Sequence, residues 1–138
     1  KRYMRKIQVD IDPYEAVHQG DIRRLKIAMG NEDFSINSTR WSGWSLLHRA
    51  AEFGMTDICI LLLENGANVN QRSTWGWHTP LHLALANGWL ETALVLSDYG
   101  ANQYAKNKYK VNPGAYATQK GYSTVVREFN AEILRREI

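Results

Sequence analysis

A segment of this chain recurs 34 residues further on, and this internal repeat constrains the fold more than any other feature. Residues 45–70, SLLHRAAEFGMTDICILLLENGANVN, align with residues 79–104, TPLHLALANGWLETALVLSDYGANQY. The alignment places His48 on His82, Gly54 on Gly88, and one Gly-Ala-Asn triplet on the other. A period in the low thirties is typical of helical repeat arrays. The sequence therefore predicts a stack of similar helical units.

Weaker copies flank these two. Residues 112–129, NPGAYATQKGYSTVVREF, follow the pattern at an offset of 33, and residues 12–29, DPYEAVHQGDIRRLKIAM, follow it upstream. Terminal copies are expected to degenerate, because each has an outer face that meets water. The predicted organisation is a basic N-terminal extension or cap at 1–11 and a repeat domain at 12–138, with approximate repeats 12–40, 41–73, 74–106 and 107–138.

Each copy has the pattern of a helix, a tight turn, a second helix and a loop. In the third copy, Pro80 suits the first turn of a helix, where its missing N–H costs no hydrogen bond. Gly88 breaks that helix, and Leu90 and Leu94 belong to a second apolar stripe that ends at Gly100. No single copy could bury this stripe alone, so the copies are expected to stack.

These residues resemble the ankyrin repeat, whose hallmark is a Thr-Pro-Leu-His start, a central glycine and a Gly-Ala ending. TPLHLALANGWLETALVLSDYGAN is a close match, and SLLHRAAEFG with LLLENGANVN is a second. The resemblance implies an all-α solenoid of helix-turn-helix units with β-hairpin loops, here called fingers, around residues 37–44, 70–78 and 104–112. Ser45-Leu46 replaces Thr-Pro in the second copy, Ala115 replaces the histidine in the fourth, and the first lacks the hallmark.

The resemblance also implies structural roles for the repeated histidines and glycines. His48 and His82 are each expected to bond the backbone of a neighbouring finger, while Gly54 and Gly88 close the turns. His78 and His82 have the i, i+4 spacing of two metal ligands, but His78 precedes the predicted helix and no third ligand is evident. We therefore predict no metal, no cofactor and, since no nucleophile with a base or phosphate loop is visible, no enzymatic activity.

The aromatic residues indicate a binding surface. Four of the five tryptophans lie in or beside two consecutive fingers, where a helical core would not need them. Large aromatics are enriched at binding hot spots. The alternative is that some pack between fingers and only stiffen them. The predicted partner-binding residues are Trp41, Trp44, Glu52, Phe53, Trp75, Trp77, His78, Asn87, Tyr104 and Tyr109.

One residue is inserted in the finger at 70–78. Four residues separate Gly43 from His48, whereas five separate Gly76 from His82. The extra residue is expected to bulge outward near Trp77 and His78. Insertions in repeat proteins map to loops on one face, which is often the binding face.

Several functions are compatible with this pattern. The leading hypothesis is a protein-interaction module that binds a peptide or protein on its concave finger and inner-helix surface. A methyl-lysine reader is a narrower variant, in which Trp44, Glu52 and Trp77 form an aromatic cage. The residues are similar to the cage of certain methyl-lysine-binding ankyrin domains, although His48 stands where that cage has another aromatic residue. A nucleic-acid partner would stack bases on the tryptophans and place phosphates near Lys106, Lys108 and Lys110. A fourth possibility is an intramolecular scaffold within a larger protein.

Charge and composition limit these alternatives. The net charge of +3 is small for a nucleic-acid footprint. No apolar run approaches the ~20 residues of a membrane-spanning helix. The opening KRYMRKIQVDI lacks the pattern of a signal peptide, and we expect a monomeric domain excised from a longer chain. The lone Cys59 is expected to be a buried, inert thiol, which favours a cytoplasmic or nuclear location.

The last helix is expected to cap the stack. Beyond Ser123, an apolar stripe comprises Val126, Phe129, Ile133 and Leu134. The charged residues Arg127, Glu128, Glu132, Arg135 and Arg136 fall between them and are expected to face water.

Overall fold

The computed structural model describes residues 10–40 and 42–137 as helix pairs joined by loops. The helices are α1 Pro13–Gln19, α2 Ile22–Met29, α3 Leu46–Glu52, α4 Thr56–Glu64, α5 Pro80–Ala86, α6 Leu90–Asp98, α7 Pro113–Gln119 and α8 Ser123–Arg136. Two short strands, β1 Thr39–Arg40 and β2 Trp44–Ser45, pair antiparallel. Residues 1–9 of the predicted N-terminal extension, and Trp41, lie outside the described residues. The predicted all-α repeat fold is confirmed.

The first helix of each pair begins at a side-chain cap. The capping residues are Asp12, Ser45, Thr79 and Asn112, and each side-chain oxygen accepts a backbone N–H of the first turn. Such caps satisfy amides that have no partner within the helix. Proline follows the cap in α1, α5 and α7. In α3 Leu46 follows instead, and the Ser45 cap still starts the helix at the equivalent residue.

The helices form two rows that share one core. The inner row is α1, α3, α5 and α7, and α4, α6 and α8 pack against one another behind it. Leu47, Leu62, Leu81 and Leu96 are almost fully buried between the rows. Cys59 is also buried, and this burial raises the pKa of its thiol to about 12. None of the described helices is both long and apolar enough to cross a membrane.

The turn glycines of the second and third repeats each lie beneath an aromatic ring of the following repeat. The Trp89 ring lies over Gly54, where an added Cβ would be 2.4 Å from the ring, and Tyr122 lies over Gly88 in the same way, at 2.6 Å. Trp89 also donates its indole N–H to the Glu52 carbonyl at 2.8 Å. Consecutive repeats therefore approach so closely at this turn that a methyl group has no room.

Asparagine side chains join the loops at the other end of the helix pairs. Asn37 accepts the Asn68 backbone N–H at 2.8 Å and donates to the Gly66 carbonyl at 3.3 Å. The equivalent Asn70 makes the same two bonds to the next repeat, at 2.7 Å and 3.1 Å. One amide side chain thus satisfies a donor and an acceptor of the neighbouring loop.

The three fingers occur where the sequence predicted them, but their internal pairing differs. Among the described residues, strands form only in the first finger, where Arg40 pairs with Trp44. The second closes through the Ser73 N–H and the His78 carbonyl at 2.9 Å, and the third through the Asn107 N–H and a carbonyl four residues on, at 3.0 Å. These two fingers are thus short loops that close across a turn by a main-chain hydrogen bond, without a regular strand ladder.

Main-chain hydrogen bonds join the fingers to one another. The Trp75 N–H donates to the Ser42 carbonyl at 3.1 Å, and the Lys108 N–H donates to the Gly76 carbonyl at 2.8 Å. We call this pair of bonds the finger seam. The seam uses backbone atoms only, so it holds the three tips side by side without using their side chains.

The C-terminal helix corrects one expectation. Phe129 is buried and Ile133 is half-buried, as expected for the inward stripe, but Leu134 is 65% exposed. A helix turns about 100° per residue, so a residue five positions after Phe129 lies about 140° round the helix from it. Leu134 therefore faces away from the core, while Arg136 near the end of α8 forms an ion pair with Asp98 of α6.

Candidate protein-interaction surface

The second and third fingers enclose a cavity of about 470 Å³ lined by aromatic residues. We call it the finger-tip cavity, and its lining residues are Thr74, Trp75, Gly76, Trp77, Lys108 and Tyr109. Three of the lining side chains are large and exposed: Trp75 at 73%, Trp77 at 55% and Tyr109 at 69%. The structure thus brings three of the predicted binding residues together around one opening.

Two buried polar residues set the backbone of the tips. Ser73 donates its hydroxyl to the Trp75 carbonyl at 2.7 Å and accepts the His78 N–H at 3.0 Å. Asn107 accepts the backbone N–H groups of Tyr109 and Val111, at 2.9 Å and 3.1 Å. Neither residue was predicted from the sequence, although they are 34 positions apart and so occupy equivalent sites in the repeat.

Trp77 lies in the part of the second finger that contains the inserted residue, and its backbone conformation is unusual. Its backbone takes the left-handed conformation, with φ of 54°, next to Gly76 with φ of 82°. The indole turns outward into the finger-tip cavity. A bulky residue rarely adopts this conformation. Ser42 in the first finger and Lys110 in the third also have positive φ, of 50° and 62°, so the conformation is shared by all three fingers and does not result from the insertion.

His78 does not share this outward position. Its ring centre lies 4.7 Å from that of Tyr116 and 5.6 Å from that of His82, on the inner-helix side of the finger. Its carbonyl oxygen is bonded to the His48 ring, which holds this part of the chain against the preceding repeat. The expected outward bulge is therefore confined to Trp77.

Trp44 is half-buried, and its ring already contacts a cation of the same chain. The Arg49 guanidinium lies over its ring, 4.7 Å from the centre, and the same group forms an ion pair with Glu52 at 3.2 Å. His48 stacks near the indole with a centre-to-centre distance of 6.0 Å. A methylated lysine at Trp44 and Glu52 would therefore have to displace Arg49 from both partners.

The remaining predicted residues are distributed elsewhere. Phe53 packs its ring at 5.3 Å against His18, and Asn87 bonds back to a carbonyl of its own helix. Tyr104, 73% exposed, lines a separate cavity of about 650 Å³ at the end of the stack, together with Leu134. Trp41 lies outside the described residues. The nine predicted residues within the described part of the chain thus lie in more than one region of its surface.

The two repeated histidines are buried and bonded at both ring nitrogens. In His82, Nδ1 accepts the Thr79 N–H at 3.2 Å and Nε2 lies 2.9 Å from the Val111 carbonyl. His48 makes the same bonds to Ser45 and to the His78 carbonyl, at 3.2 Å and 2.9 Å. Each imidazole therefore connects the start of its helix to the next finger. Burial lowers the pKa of both rings to about 4.

These pKa values predict acid sensitivity. An unfolded histidine titrates near 6.5, so between pH 6.5 and about 4 the unfolded chain binds more protons than the folded one. The stabilisation is complete above pH 6.5 and falls as the pH drops, by up to about 1.4 kcal/mol per pH unit for each histidine. Urea unfolding at pH 7 and at pH 5 measures this loss. An unchanged midpoint would contradict the neutral, buried state of His48 and His82.

The architecture defines a class of protein, a short solenoid of helix pairs whose fingers project from one edge. A family model described as ankyrin repeats (many copies) matches residues 47–96, which span α3 to α6. This central part of the chain therefore consists of ankyrin repeats, as the resemblance implied.

Several curated proteins are similar to parts of the chain. Protein phosphatase 1 regulatory subunit 27 of Mus musculus is 33% identical over 91 residues, which cover 66% of this chain and 58% of that protein. BCL-6 corepressor-like protein 1 of Homo sapiens is 43% identical over 67 residues, covering 49% of this chain and 4% of that protein. Rabankyrin-5 of Homo sapiens is 43% identical over 61 residues, covering 44% of this chain and 5% of that protein. The match thus spans little more than half of the regulatory subunit. These findings support a general protein-interaction module.

Proposed function

We propose that this chain is a non-catalytic module that binds a peptide segment of a protein partner in the finger-tip cavity. The observation that carries the proposal is the exposure of Trp75, Trp77 and Tyr109 around one opening. Burying a large aromatic ring removes a wide apolar area from water, so such a cluster is costly to expose without a use. Tryptophan and tyrosine are also frequent energetic anchors of interfaces.

The rigidity of the tips supports this assignment. The finger seam, Ser73 and Asn107 fix the main chain beneath the aromatic side chains. A surface that is ordered before binding loses less conformational entropy when the partner arrives. The fingers are therefore suited to hold a partner rather than to fold around it. The similarity to a regulatory subunit of a phosphatase is consistent with a binding role.

Truncating the anchors tests the proposal. Peptides are selected from a random display library on the intact chain, and their affinities are measured for Trp75→Ala and Trp77→Ala. We expect each change to weaken binding by about 30-fold or more, because a central aromatic anchor contributes about 2 kcal/mol or more. Unfolding midpoints should stay near that of the unmodified chain, since both rings are exposed.

The matched control is Tyr99→Ala. Tyr99 is an aromatic residue with 41% exposure at the end of α6, away from the fingers. Its removal should leave the affinities within about two-fold, as expected for a residue outside the interface. Selected peptides that bind both tryptophan variants as tightly as the unmodified chain would refute the finger-tip assignment.

A further inference from the structure

The finger side of the third and fourth repeats carries no carboxylate. The sequence contains no Asp or Glu between Glu64 and Glu91, and none between Asp98 and Glu128. These stretches include the second and third fingers and the inner helices α5 and α7. The cations of the two fingers are exposed: Arg72, Lys106, Lys108 and Lys110. Positive charge therefore accumulates beside the finger-tip cavity, and Lys108 lines it.

Cations elsewhere on the same side are neutralised within the chain. Arg40 pairs with Asp12 at 2.8 Å, and Arg49 pairs with Glu52 at 3.2 Å. Within residues 10–40 and 42–137, no such ion pair involves the lysines of the third finger. Like charges held on one short loop repel, and an anionic partner relieves that repulsion.

The backbone of the fingers determines how a partner can be held. The Trp75 N–H, the Gly76 carbonyl and the Lys108 N–H are already bonded within the finger seam. These three groups are therefore not free to pair with a partner strand. The exposed aromatic side chains are the main groups offered for recognition, and aromatic-lined grooves of this kind suit proline-containing segments in the extended polyproline conformation.

Building on the proposed function, we infer that the finger-tip cavity binds an extended acidic segment that contains proline. Its proline ring packs in the cavity against Trp77 and Tyr109, while carboxylates on either side of the proline meet Lys106, Lys108 and Lys110. The aromatic rings then contribute apolar contact, and the lysines select for acidic sequences and accelerate association.

A nucleic acid offers the same negative charge but fits less well. Proteins that bind it strongly neutralise about 6–10 phosphates, whereas the two fingers provide four cations. The outer helix behind them bears Glu91 and Asp98, and the net charge of the chain is only +3. These features favour a short acidic peptide over a long polyanion.

Fluorescence anisotropy with defined probes tests the inference. The probes are a labelled peptide of repeated Asp-Pro-Glu, its Asn-Pro-Gln counterpart, its Asp-Ala-Glu counterpart, and an oligothymidylate of equal length. We expect the Asp-Pro-Glu peptide to bind at least about ten-fold more tightly than each of the other probes, since loss of the charges or of the proline ring removes about 1.4 kcal/mol or more.

Charge-matched variants identify the surface. Replacing Lys106, Lys108 and Lys110 together by glutamine should weaken the binding of the Asp-Pro-Glu peptide by about ten-fold or more. The control removes the same charge from the outer helix α2 and consists of Arg23→Gln, Arg24→Gln and Lys26→Gln, all at exposed positions. The affinity of this control for the Asp-Pro-Glu peptide should stay within about two-fold of that of the unmodified chain, because exposed charges farther away than a Debye length are screened.

Four results would overturn the inference. They are equal binding of the neutral Asn-Pro-Gln peptide, equal binding of the Asp-Ala-Glu peptide, equal effects of the two triple variants, and tighter binding of the oligothymidylate with a steep salt dependence. If library peptides still depend on Trp75 and Trp77 in any of these cases, the proposed function stands and only the acidic proline specificity is wrong. If no peptide depends on the tryptophans, both are wrong.

Discussion

Replacing Gly54 by alanine is expected to lower the free energy of unfolding by about 2–5 kcal/mol. Two costs combine. The backbone has φ of +67°, a conformation that costs an L-residue about 1–2 kcal/mol, and the new methyl group would lie 2.4 Å from the Trp89 ring. Forcing atoms into a filled contact adds about 1–3 kcal/mol. Urea denaturation of the variant and the unmodified chain gives the difference.

Gly20→Ala separates the two costs. Gly20 has a φ of +70°, close to that of Gly54, but an added Cβ would meet only the Met55 Cε, at the ordinary contact distance of 3.7 Å. Its replacement should therefore cost only the conformational part, about 1–2 kcal/mol. Equal losses at both positions would show that the contact between Gly54 and Trp89 does not restrict the turn. Adding Trp89→Ala to Gly54→Ala should recover the steric part, giving a double-mutant coupling between the two sites.

Replacing His82 by alanine is expected to cost about 2–4 kcal/mol of stability. The change leaves the buried Thr79 N–H without its acceptor and removes a hydrogen bond to the Val111 carbonyl. An unsatisfied buried polar group costs about 1–3 kcal/mol, and the space left by the ring adds to this. Thermal or urea unfolding at pH 7 measures the loss.

The exposed His18 provides the comparison. His18→Ala removes an imidazole from a solvent-facing position and should change stability by about 0.5 kcal/mol or less. The His82 variant should also lose stability less steeply on acidification, since one of the two buried rings with a low pKa is gone. A His82 variant that melts like the unmodified chain but no longer binds would assign this histidine to the interface instead.

Local features of the chain were readable from the sequence because they act within a few residues. Pro80 predicts the start of α5, and Gly88 predicts the turn after it. The helix spans Pro80–Ala86, as the positions of this proline and this glycine predict. The internal repeat then extends this result to the other copies. The exposure of Trp75 and Trp77 was likewise predictable, because both lie in a finger, where a helical core does not need them.

Contacts that depend on how the fingers and turns bend and pack could not be predicted in the same way. The position of Arg49 over Trp44 depends on how the finger bends back onto its own helix, which spacing does not specify. The stacking of Trp89 on Gly54 does have a sequence signal, since Met55, Trp89 and Tyr122 all follow a turn glycine. That signal becomes informative only once the distance between successive turns is known.

The finger seam has a consequence for how such a surface can change over time. Its bonds join the N–H of Trp75 to the Ser42 carbonyl and the N–H of Lys108 to the Gly76 carbonyl, so any residue except proline at positions 75 and 108 can make them. Substitutions there alter what the surface recognises while the geometry that presents it is inherited unchanged. A lineage of such chains can therefore acquire new partners through single codon changes at the tips, without passing through unstable intermediates.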